Sequence, residues 1–401
     1  MSISKIKIIG NDYTKSRIVL REIHHPIPGE YDSIMAKADR DRIYNLGLFS
    51  TVEISQLDTI YLILLTETFN YLPIPLIEYS ESKGFSYGAM FLMRNFQGLN
   101  RKVSIEGIFG KENLYSLGYY DPWLYGDHGS LGIEIFKYAS TSQIYNYEYI
   151  IEGVKIQTGY YKKKHRYNFI FNIQNYYMDT TISYLSDYKK FISPFYYNKY
   201  QYFTFKLSYK YDNRDIYSDP TRGQYLKMTV EPIISYNSVP NYYVIFISNG
   251  RYYKIYKRNE LVFSIITKVK FNLSKDLPIF AYEYLGGQDY VRGYSPIIQE
   301  NPIEVQSKIE GSNIFYQTLQ FQHTLLRKKD YGGVELGIDL LYFFDYGLCI
   351  KDENTLKRSN ILYGFGLGIR TFISGLGIIG LDLGFNPYNS WMLHPKINGS
   401  M

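Results

Sequence analysis

Histidine and cysteine, the side chains that most often do catalytic or metal chemistry, are few and scattered in this chain. Its 401 residues include six histidines and one cysteine, Cys349. There is no HExxH pair, no His/Cys cluster at metal-ligand spacing and no GxSxG turn for a nucleophilic serine. A formal GxGxxG at 375–380 precedes the alternating string LDLGF rather than a helix, so it does not indicate a dinucleotide site. We predict no enzyme activity, no metal and no cofactor.

The most informative charged side chain is Arg292, within the string Val291-Arg292-Gly293-Tyr294. A guanidinium can hold a carboxylate through two parallel hydrogen bonds, which fixes orientation as well as distance. An arginine beside a glycine is also common in plain surface turns. A functional interpretation of this string is favoured because other characteristic strings occur around it in the sequence.

Three other strings combine turn residues with charge. Asp121-Pro122-Trp123 stands early in the chain. Asp212, Arg214 and Asp215 are followed by Pro220 and Gly223 in a YDNRD…PTRG stretch, and Asp345 lies in FFDYG. Each could be an ordinary turn, because Asp, Pro and Gly favour turns.

Taken in this order, the strings resemble those of the BamA/TamA-like superfamily, the surface-antigen family of outer-membrane protein assembly and translocation factors. The resemblance implies that the VRGY loop, at about 274–312, folds into a barrel lumen. It also implies that Arg292 pairs there with Asp345 on the barrel wall. Gln320 stands where the family usually has a glutamate. We therefore expect Arg292 to have one ionic partner instead of two, and the attachment of the loop to be looser.

The elements that must position these residues fall into two parts. Residues 1–68 read as strand, helix, helix, strand, strand, with Thr14 as the N-cap of the first helix and Gly47 ending the second. This order, with the string Leu46-Gly47-Leu48-Phe49, resembles a single POTRA-like periplasmic domain. A generic small α+β domain is the alternative.

From 72 to 401 the pattern alternates with period two, as a transmembrane β-barrel requires. In 201–211, Phe203, Phe205 and Leu207 face one side while Thr204 and Lys206 face the other. Segments of about 9–11 residues suit tilted membrane strands. A soluble barrel or sandwich would instead place Leu and Val inside and charges outside. The breaks predict about 16 antiparallel strands, eleven before the VRGY loop and five after it.

Composition supports an all-β membrane barrel. Tyrosine is extreme at 46 residues, the net charge is +6, and the charge is dispersed without long runs, so nucleic acid is not a predicted partner. The longest apolar run, Ile60 to Leu65, is far shorter than the roughly twenty residues of a membrane helix. The start SISKIKIIGN carries no apolar signal segment. We expect either a mature or trimmed form, or another route to the membrane.

Prolines mark the proposed first and last strands, near 72–81 and 391–401. Pro73, Pro75 and Pro395 each lack a ladder donor and belong on sheet edges. Weak pairing between these strands would suit a seam that opens sideways and templates an incoming strand. Pro232, in an interior strand, shows that proline is not unique to this seam.

The sequence thus predicts an outer-membrane β-barrel assembly or insertion factor. A two-partner-type polypeptide translocator, a diffusion porin and a barrel hydrolase are the alternatives. Expected partners are unfolded outer-membrane client proteins, membrane lipid, and accessory lipoproteins or other assembly subunits. A bacterial outer membrane is favoured over that of a mitochondrion or plastid.

Overall fold

The structure is a computed structural model of all 401 residues. It describes the chain except residues 1, 81–83, 111, 127–128, 143–146, 179–198, 218, 238–239, 257–260, 275–276, 351–359, 374–376 and 399–401. Within the described ranges, no helix combines the length and the apolar character needed to cross a membrane.

An α+β unit forms the N-terminal part of the chain. Its elements are β1 (Ser2–Ile3), β2 (Lys5–Ile9), α1 (Ser16–Leu20), β3 (Gly29–Glu30), α2 (Ser33–Asn45), β4 (Phe49–Leu57) and β5 (Ile60–Glu67). Strand β5 is central in a three-stranded sheet, parallel to β2 and antiparallel to β4. The predicted order is therefore present, with the short pair β1–β3 added.

The core of this unit is apolar around one buried acid. Ile18 and Val19 of α1 and Ile43 of α2 pack on Tyr61 and Ile63 of the sheet, all at most 1% exposed. Asp39, also fully buried, accepts hydrogen bonds from the Tyr61 hydroxyl at 2.8 Å and from the backbone N–H of His24 at 3.0 Å. These donors satisfy the carboxylate and tie α2 to the segment after α1.

The predicted ends of the two helices had different outcomes. Thr14 is not the N-cap: α1 begins at Ser16, and Lys15 occupies the cap position without a side-chain cap bond. Thr14 is instead buried and accepts a 2.8 Å hydrogen bond from Nδ2 of Asn95. The long-range partner outweighed the local capping preference. Gly47 does follow the end of α2, at a left-handed φ of +69°, as predicted.

A second sheet contains most of the remaining chain. Its strands before the VRGY loop are β6 (Tyr71–Ser80), β7 (Gly84–Phe96), β8 (Arg101–Gly110), β9 (Asn113–Asp121), β10 (Gly129–Ser142), β11 (Tyr147–Lys162), β12 (His165–Met178), β13 (Lys199–Asp212), β14 (Gly223–Ser235), β15 (Tyr242–Tyr256) and β16 (Leu261–Asn272).

In its described residues the VRGY loop contains short elements, and five long strands follow it. The short elements are 3-10 turns at Ile279–Ala281 and Ile298–Glu300, β17 (Glu283–Tyr284), α3 (Ile303–Gln306) and β18 (Glu310–Gly311). The strands are β19 (Asn313–Asp330), β20 (Glu335–Ile350), β21 (Leu362–Ile373), β22 (Gly377–Phe385) and β23 (Trp391–Asn398).

Sixteen long strands of the described residues form one antiparallel sheet in which chain neighbours pair. This confirms the predicted count, with eleven strands before the loop and five after it. Strand β16 pairs directly with β19, so the loop leaves and rejoins the sheet at adjacent strands. The edge strands are β6 and β23, and among the described residues no ladder joins them. Glu81 and Met401, at the ends of the predicted seam strands, lie outside the described residues.

The two faces of this sheet differ in polarity, as the alternation predicted. On the face that we call the inner face, Thr204 is 3% exposed, and Asp345 and Asp382 are fully buried. On the outer face Leu207 is 56% exposed and Phe344 is 42% exposed. Polar groups inside and apolar groups outside reverse the arrangement of a soluble sheet. They match a strand that meets lipid on one face.

The VRGY loop lies on the inner face at two places. Phe280 stacks on Tyr176 of β12 with ring centroids 4.2 Å apart. Farther along, Leu285, Val291 and Tyr294 are at most 1% exposed, in a cluster with residues of β19, β20 and β21. The loop is therefore a packed element rather than a solvent-exposed excursion.

Candidate functional site

The VRGY string forms a tight backbone turn against the last strands of the sheet. The Val291 N–H donates to the Leu285 carbonyl at 2.7 Å, and the Gly287 N–H donates to the Tyr294 carbonyl at 3.0 Å. Gly293 has a φ of +95°, and a Cβ there would lie 2.8 Å from the backbone carbon of Phe385. Conformation and space both require glycine at this position.

Arg292 and Asp345 form a two-pronged ion pair on the inner face. Nε and Nη2 of Arg292 donate to the two carboxylate oxygens of Asp345, each at 2.7 Å, and the Arg292 backbone N–H adds a bond of 3.1 Å. The arginine is 1% exposed and the aspartate is fully buried. The structure thus contains the contact implied by the family resemblance. It has the geometry that fixes orientation best.

A second carboxylate, Asp382 on β22, also binds Arg292. Its Oδ2 accepts from Nη1 of Arg292 at 2.9 Å and from Nη2 of Arg370 at 2.6 Å. The expectation of a single ionic partner for Arg292 was therefore wrong. Gln320 does not replace the second acid. Its amide donates to the Thr318 hydroxyl at 3.3 Å, and it is this hydroxyl that accepts a hydrogen bond from Arg292. The acid is supplied from another strand.

The site is neutral as a set, which explains how it can be buried. Arg292 and Arg370 face Asp345 and Asp382, two cations with two anions. The Arg292 guanidinium also lies 3.4 Å from the centre of the Phe343 ring. Desolvation offsets much of the Coulomb attraction of such a set, so its main contribution is a defined position rather than net stability.

Further hydrogen bonds join residues 291–294, which we call the tip of the VRGY loop, to the last strands of the sheet. The Gly293 N–H donates to Nε2 of His394 on β23 at 2.9 Å, and Nδ2 of Asn386 donates to the Gly293 carbonyl at 2.6 Å. The Tyr294 hydroxyl donates to the Tyr363 carbonyl on β21 at 3.1 Å. The tip therefore touches every strand from β20 to β23.

Sequence reasoning missed Asp382, Arg370, Asn386 and His394. One usable signal was the glycines that make room for the tip. A Cβ on Gly364 would lie 1.9 Å from the Arg292 carbonyl oxygen, and one on Gly384 would lie 2.4 Å from the Gly293 nitrogen. Small residues on the inner-face positions of two neighbouring strands indicate that a backbone approaches closely.

The early string Asp121-Pro122-Trp123 forms a turn under the N-terminal unit. Oδ1 of Asp121 accepts from the Trp123 N–H at 2.9 Å, and Oδ2 accepts from Nε of Arg101 at 2.7 Å. Trp123 packs against the core of the N-terminal unit, with the Arg21 guanidinium 4.6 Å from its ring centre. Pro122 lies within the turn.

The later string forms a turn at the same end of the sheet. Arg214 donates two bonds of 2.8 Å to Asp212, and Asp215 accepts from the N–H and hydroxyl of Thr221 at 3.0 and 2.6 Å. Pro220 precedes Thr221, and Gly223 has a φ of +100°. The structure does not bring either turn to the Arg292 site.

Both turns support the N-terminal unit. The amide of Asn45, at the end of α2, donates to the Asp215 carbonyl at 3.2 Å and accepts from the Tyr217 N–H at 3.3 Å. Nη2 of Arg94 on β7 donates to the Gly47 carbonyl. A cation at the carboxyl end of a helix is favourable for its dipole.

Glu22 lies after α1, where this unit meets the sheet. Burial raises the pKa of its carboxyl to about 7, and the guanidinium groups of Arg42, Arg166 and Arg21 lower it against that rise. Glu22 therefore titrates near neutral pH, outside the range of an ordinary glutamate.

The predicted seam residues occupy the two edge strands. Pro73 and Pro75 on β6 pair with Phe91 and Ala89 of β7, and Pro395 on β23 pairs with Leu381 of β22.

In the described part of the chain, no group of three or more His, Cys, Asp and Glu side chains could hold a metal ion.

Comparison with known proteins gives consistent matches. A family model of the Omp85 superfamily domain matches residues 95–390. Among solved structures, BamA from Haemophilus ducreyi lacking POTRA domains 1–3 aligns at a TM-score of 0.59 and 16% identity, covering 100% of this chain and 83% of that one. CdiB from Escherichia coli aligns at 0.60 and 13% identity, covering 98% and 74%. CdiB from Acinetobacter baumannii aligns at 0.56 and 11%, covering 98% and 72%. At these identities the structural matches establish likeness of fold.

Proposed function

The chain belongs to the Omp85 superfamily, and on that premise we propose that it inserts client β-barrel proteins into an outer membrane through a seam between β6 and β23. The family and the fold are those of an outer-membrane β-barrel protein. No chemical step is needed for this activity. The work is done by edge strands that pair with a client.

The observation that carries the proposal is the attachment of the VRGY tip to the last strands. Arg292 binds Asp345 and Asp382, and Gly293 binds His394 on β23, an edge strand of the sheet. We propose that the tip sets the position of β23. The position of one seam strand then depends on a loop fixed inside the sheet.

Edge pairing supports the seam. A strand at a sheet edge offers unpaired N–H and C=O groups that template another strand. Pro73 and Pro75 on β6 and Pro395 on β23 lack a donor, which limits the ladder that these strands can form with each other. A ladder of about ten bonds contributes on the order of 1 kcal/mol per bond, and more in lipid, so losing several brings opening within reach.

We propose that the N-terminal unit is a POTRA-like domain that binds unfolded client segments. Its sheet has two edge strands, β2 and β4, that can add a strand. Its contacts with Asp215, Tyr217 and Asn95 hold it at one end of the large sheet. Client segments bound there would lie close to the start of β6.

A two-partner-type polypeptide translocator is the second candidate. The structural likeness does not separate the two, since the TM-scores to CdiB from Escherichia coli and to BamA are 0.60 and 0.59. A diffusion porin is less favoured, because the packed VRGY loop lies on the inner face where a porin needs open space. Accessory lipoproteins or other assembly subunits are expected partners of the insertion activity, and a bacterial outer membrane is its expected location.

Cross-linking tests the seam directly. In a Cys349→Ser background, cysteine pairs scan positions 71–76 against 391–396, and client insertion is measured in proteoliposomes before and after oxidation. We expect cross-linked protein to be inactive and reduction to restore it. The matched control joins Leu207→Cys and Val230→Cys, outer-face partners in an interior ladder, and should not change activity. Full activity with a closed seam would contradict insertion through it and favour passage through the interior.

A further inference from the structure

A cavity of about 810 Å³ lies inside the large sheet, between the N-terminal unit and the Arg292 site. Residues Asn45–Leu48 of the N-terminal unit line one end of it, and Gln320 and Arg370 line the other. Its volume is within the range of sites that hold small ligands. We call it the inner cavity.

The charge on its wall is strongly one-sided. Among the described residues, seven cationic side chains but only two acidic ones, Glu134 and Asp219, line the inner cavity. Several of the cations have acids as neighbours: Lys155 pairs with Glu134, Arg370 with Asp382, and Lys210 with Asp212. Arg214 shares Asp212 with Lys210, and Lys328 neutralises Asp219. Cations remain in excess after all these acids are counted.

Lys102 and Arg166 contribute most to that excess. Within the part of the chain that the structure describes, neither makes an ion pair with an acid at 4 Å or less, and the acid that acts on Arg166, Glu22, is not among the residues that line the cavity. The Arg166 guanidinium lies 4.8 Å from the ring centre of Tyr217, which adds no negative charge. Lys102 lies on β8 and Arg166 on β12, so the charge is distributed around the wall rather than gathered at one point.

A cavity whose wall carries mainly one sign of charge focuses the field of those charges into its interior. Cavities lined by one sign of charge raise the local concentration of the opposite ion by about 10- to 1,000-fold. A cation that is partly withdrawn from water without a close counter-ion, as Lys102 is, is also costly, and a bound anion offsets that cost. We propose that the inner cavity is an anion site, which admits and holds phosphate-bearing anions in preference to cations. This proposal does not depend on client insertion.

Reaction of a cysteine placed in the cavity wall with charged reagents tests it. Ser104 lines the inner cavity, and Ser104→Cys in a Cys349→Ser background leaves every cation in place. The full-length protein, in nanodiscs of zwitterionic lipid, reacts with a sulfonate-bearing (anionic) or an ammonium-bearing (cationic) methanethiosulfonate. Rates are normalised to Ser33→Cys, which is exposed on the N-terminal unit. We expect the anionic reagent to be favoured by about tenfold or more.

Charge removal and competition complete the test. Lys102→Gln with Arg166→Gln should reduce the preference several-fold, whereas Lys37→Gln, which removes an exposed charge on α2, should not. Inorganic pyrophosphate should protect the thiol introduced by Ser104→Cys. If the thiol reacts slowly in nanodiscs that contain anionic lipid and pyrophosphate does not protect it, the site is supported and the phosphate that it holds belongs to a lipid headgroup. Equal rates for the two reagents, no reaction with either, or a preference unchanged by the double substitution would each overturn the proposal.

Discussion

The backbone N–H of Gly293 donates a 2.9 Å hydrogen bond to Nε2 of His394, and this bond joins the tip of the VRGY loop to the last strand of the sheet. The two residues are 101 positions apart in the chain. Because Nε2 is the acceptor, the imidazole is neutral and carries its proton on Nδ1. A backbone group of the loop thus fixes the position of the loop relative to an edge strand.

Replacing Arg292 with alanine should abolish client insertion while the sheet still assembles. The change leaves Asp345 buried without its cation, and breaking a buried pair costs about 3–5 kcal/mol locally. Insertion in proteoliposomes and heat-dependent mobility of the barrel on gels measure the two effects separately. Arg222→Ala, at a 62% exposed arginine side chain 3.9 Å from Asp215, is the control and should be near wild type. A fully active Arg292→Ala protein would refute the role of the tip.

Asp382→Asn should impair insertion more than Gln320→Glu. The first change leaves Arg292 and Arg370 with Asp345 as the single carboxylate of the set. The second adds a carboxylate to a set that is already neutral, so it should not strengthen the attachment of the loop. Proteolysis rates of the VRGY loop report its attachment in both variants. Faster cleavage in Gln320→Glu than in Asp382→Asn would show that the assignment of the second acid is incorrect.

Gly293→Ala tests close approach apart from backbone conformation. Gly293 and Gly332 both have positive φ, at +95° and +67°, but a Cβ on Gly332 meets nothing within 4 Å. Either substitution incurs about 1–2 kcal/mol for the left-handed conformation. Only Gly293→Ala also collides with Phe385, so thermal unfolding should show a larger loss for it than for Gly332→Ala. Equal losses would mean that the tip does not need this close contact.

The packing of the N-terminal unit against the large sheet should become less stable between about pH 4.5 and pH 7. The pKa of Glu22 rises from 4.5 to about 7 in the folded state because burial favours the neutral acid. The stabilisation from Glu22 is therefore fully present below pH 4.5 and is lost as pH rises through about 7. Hydrogen exchange in α1 across this range measures it. Glu22→Gln should remove the pH dependence, and an unchanged profile in that variant would assign it to another group.

Deleting residues 1–68 should abolish client handling and leave a heat-stable barrel. The unit has its own core, on which Leu99 and Trp123 of the barrel part also pack, and its polar contacts with the large sheet include those of Tyr44, Asn45, Gly47 and Thr14. Insertion rate and gel mobility of the truncated protein are compared with those of the full chain. Insertion at the full rate would show that the unit does not bind clients.

The sequence by itself determined the strand pattern and one partner of the loop. Alternation put Thr204 inside and Leu207 outside because a strand's side chains point to opposite faces, which is a local property. Gly47 ended α2 for a similarly local reason, its left-handed φ. Arg292 and Asp345 were found through strings that resemble a family, since neither spacing nor period relates them.

Only the tertiary structure decided the rest of the site. Asp382 and His394 reach the tip from strands 90 and 101 residues away, and which inner-face positions meet depends on the register of several ladders. A shift of one residue would turn Asp382 to the outer face, so no local pattern can specify the contact. Thr14 failed as a predicted cap for the same physical reason: its partner, Asn95, lies in another part of the fold. Local preference amounts to about 1 kcal/mol, and a buried long-range hydrogen bond can outweigh it.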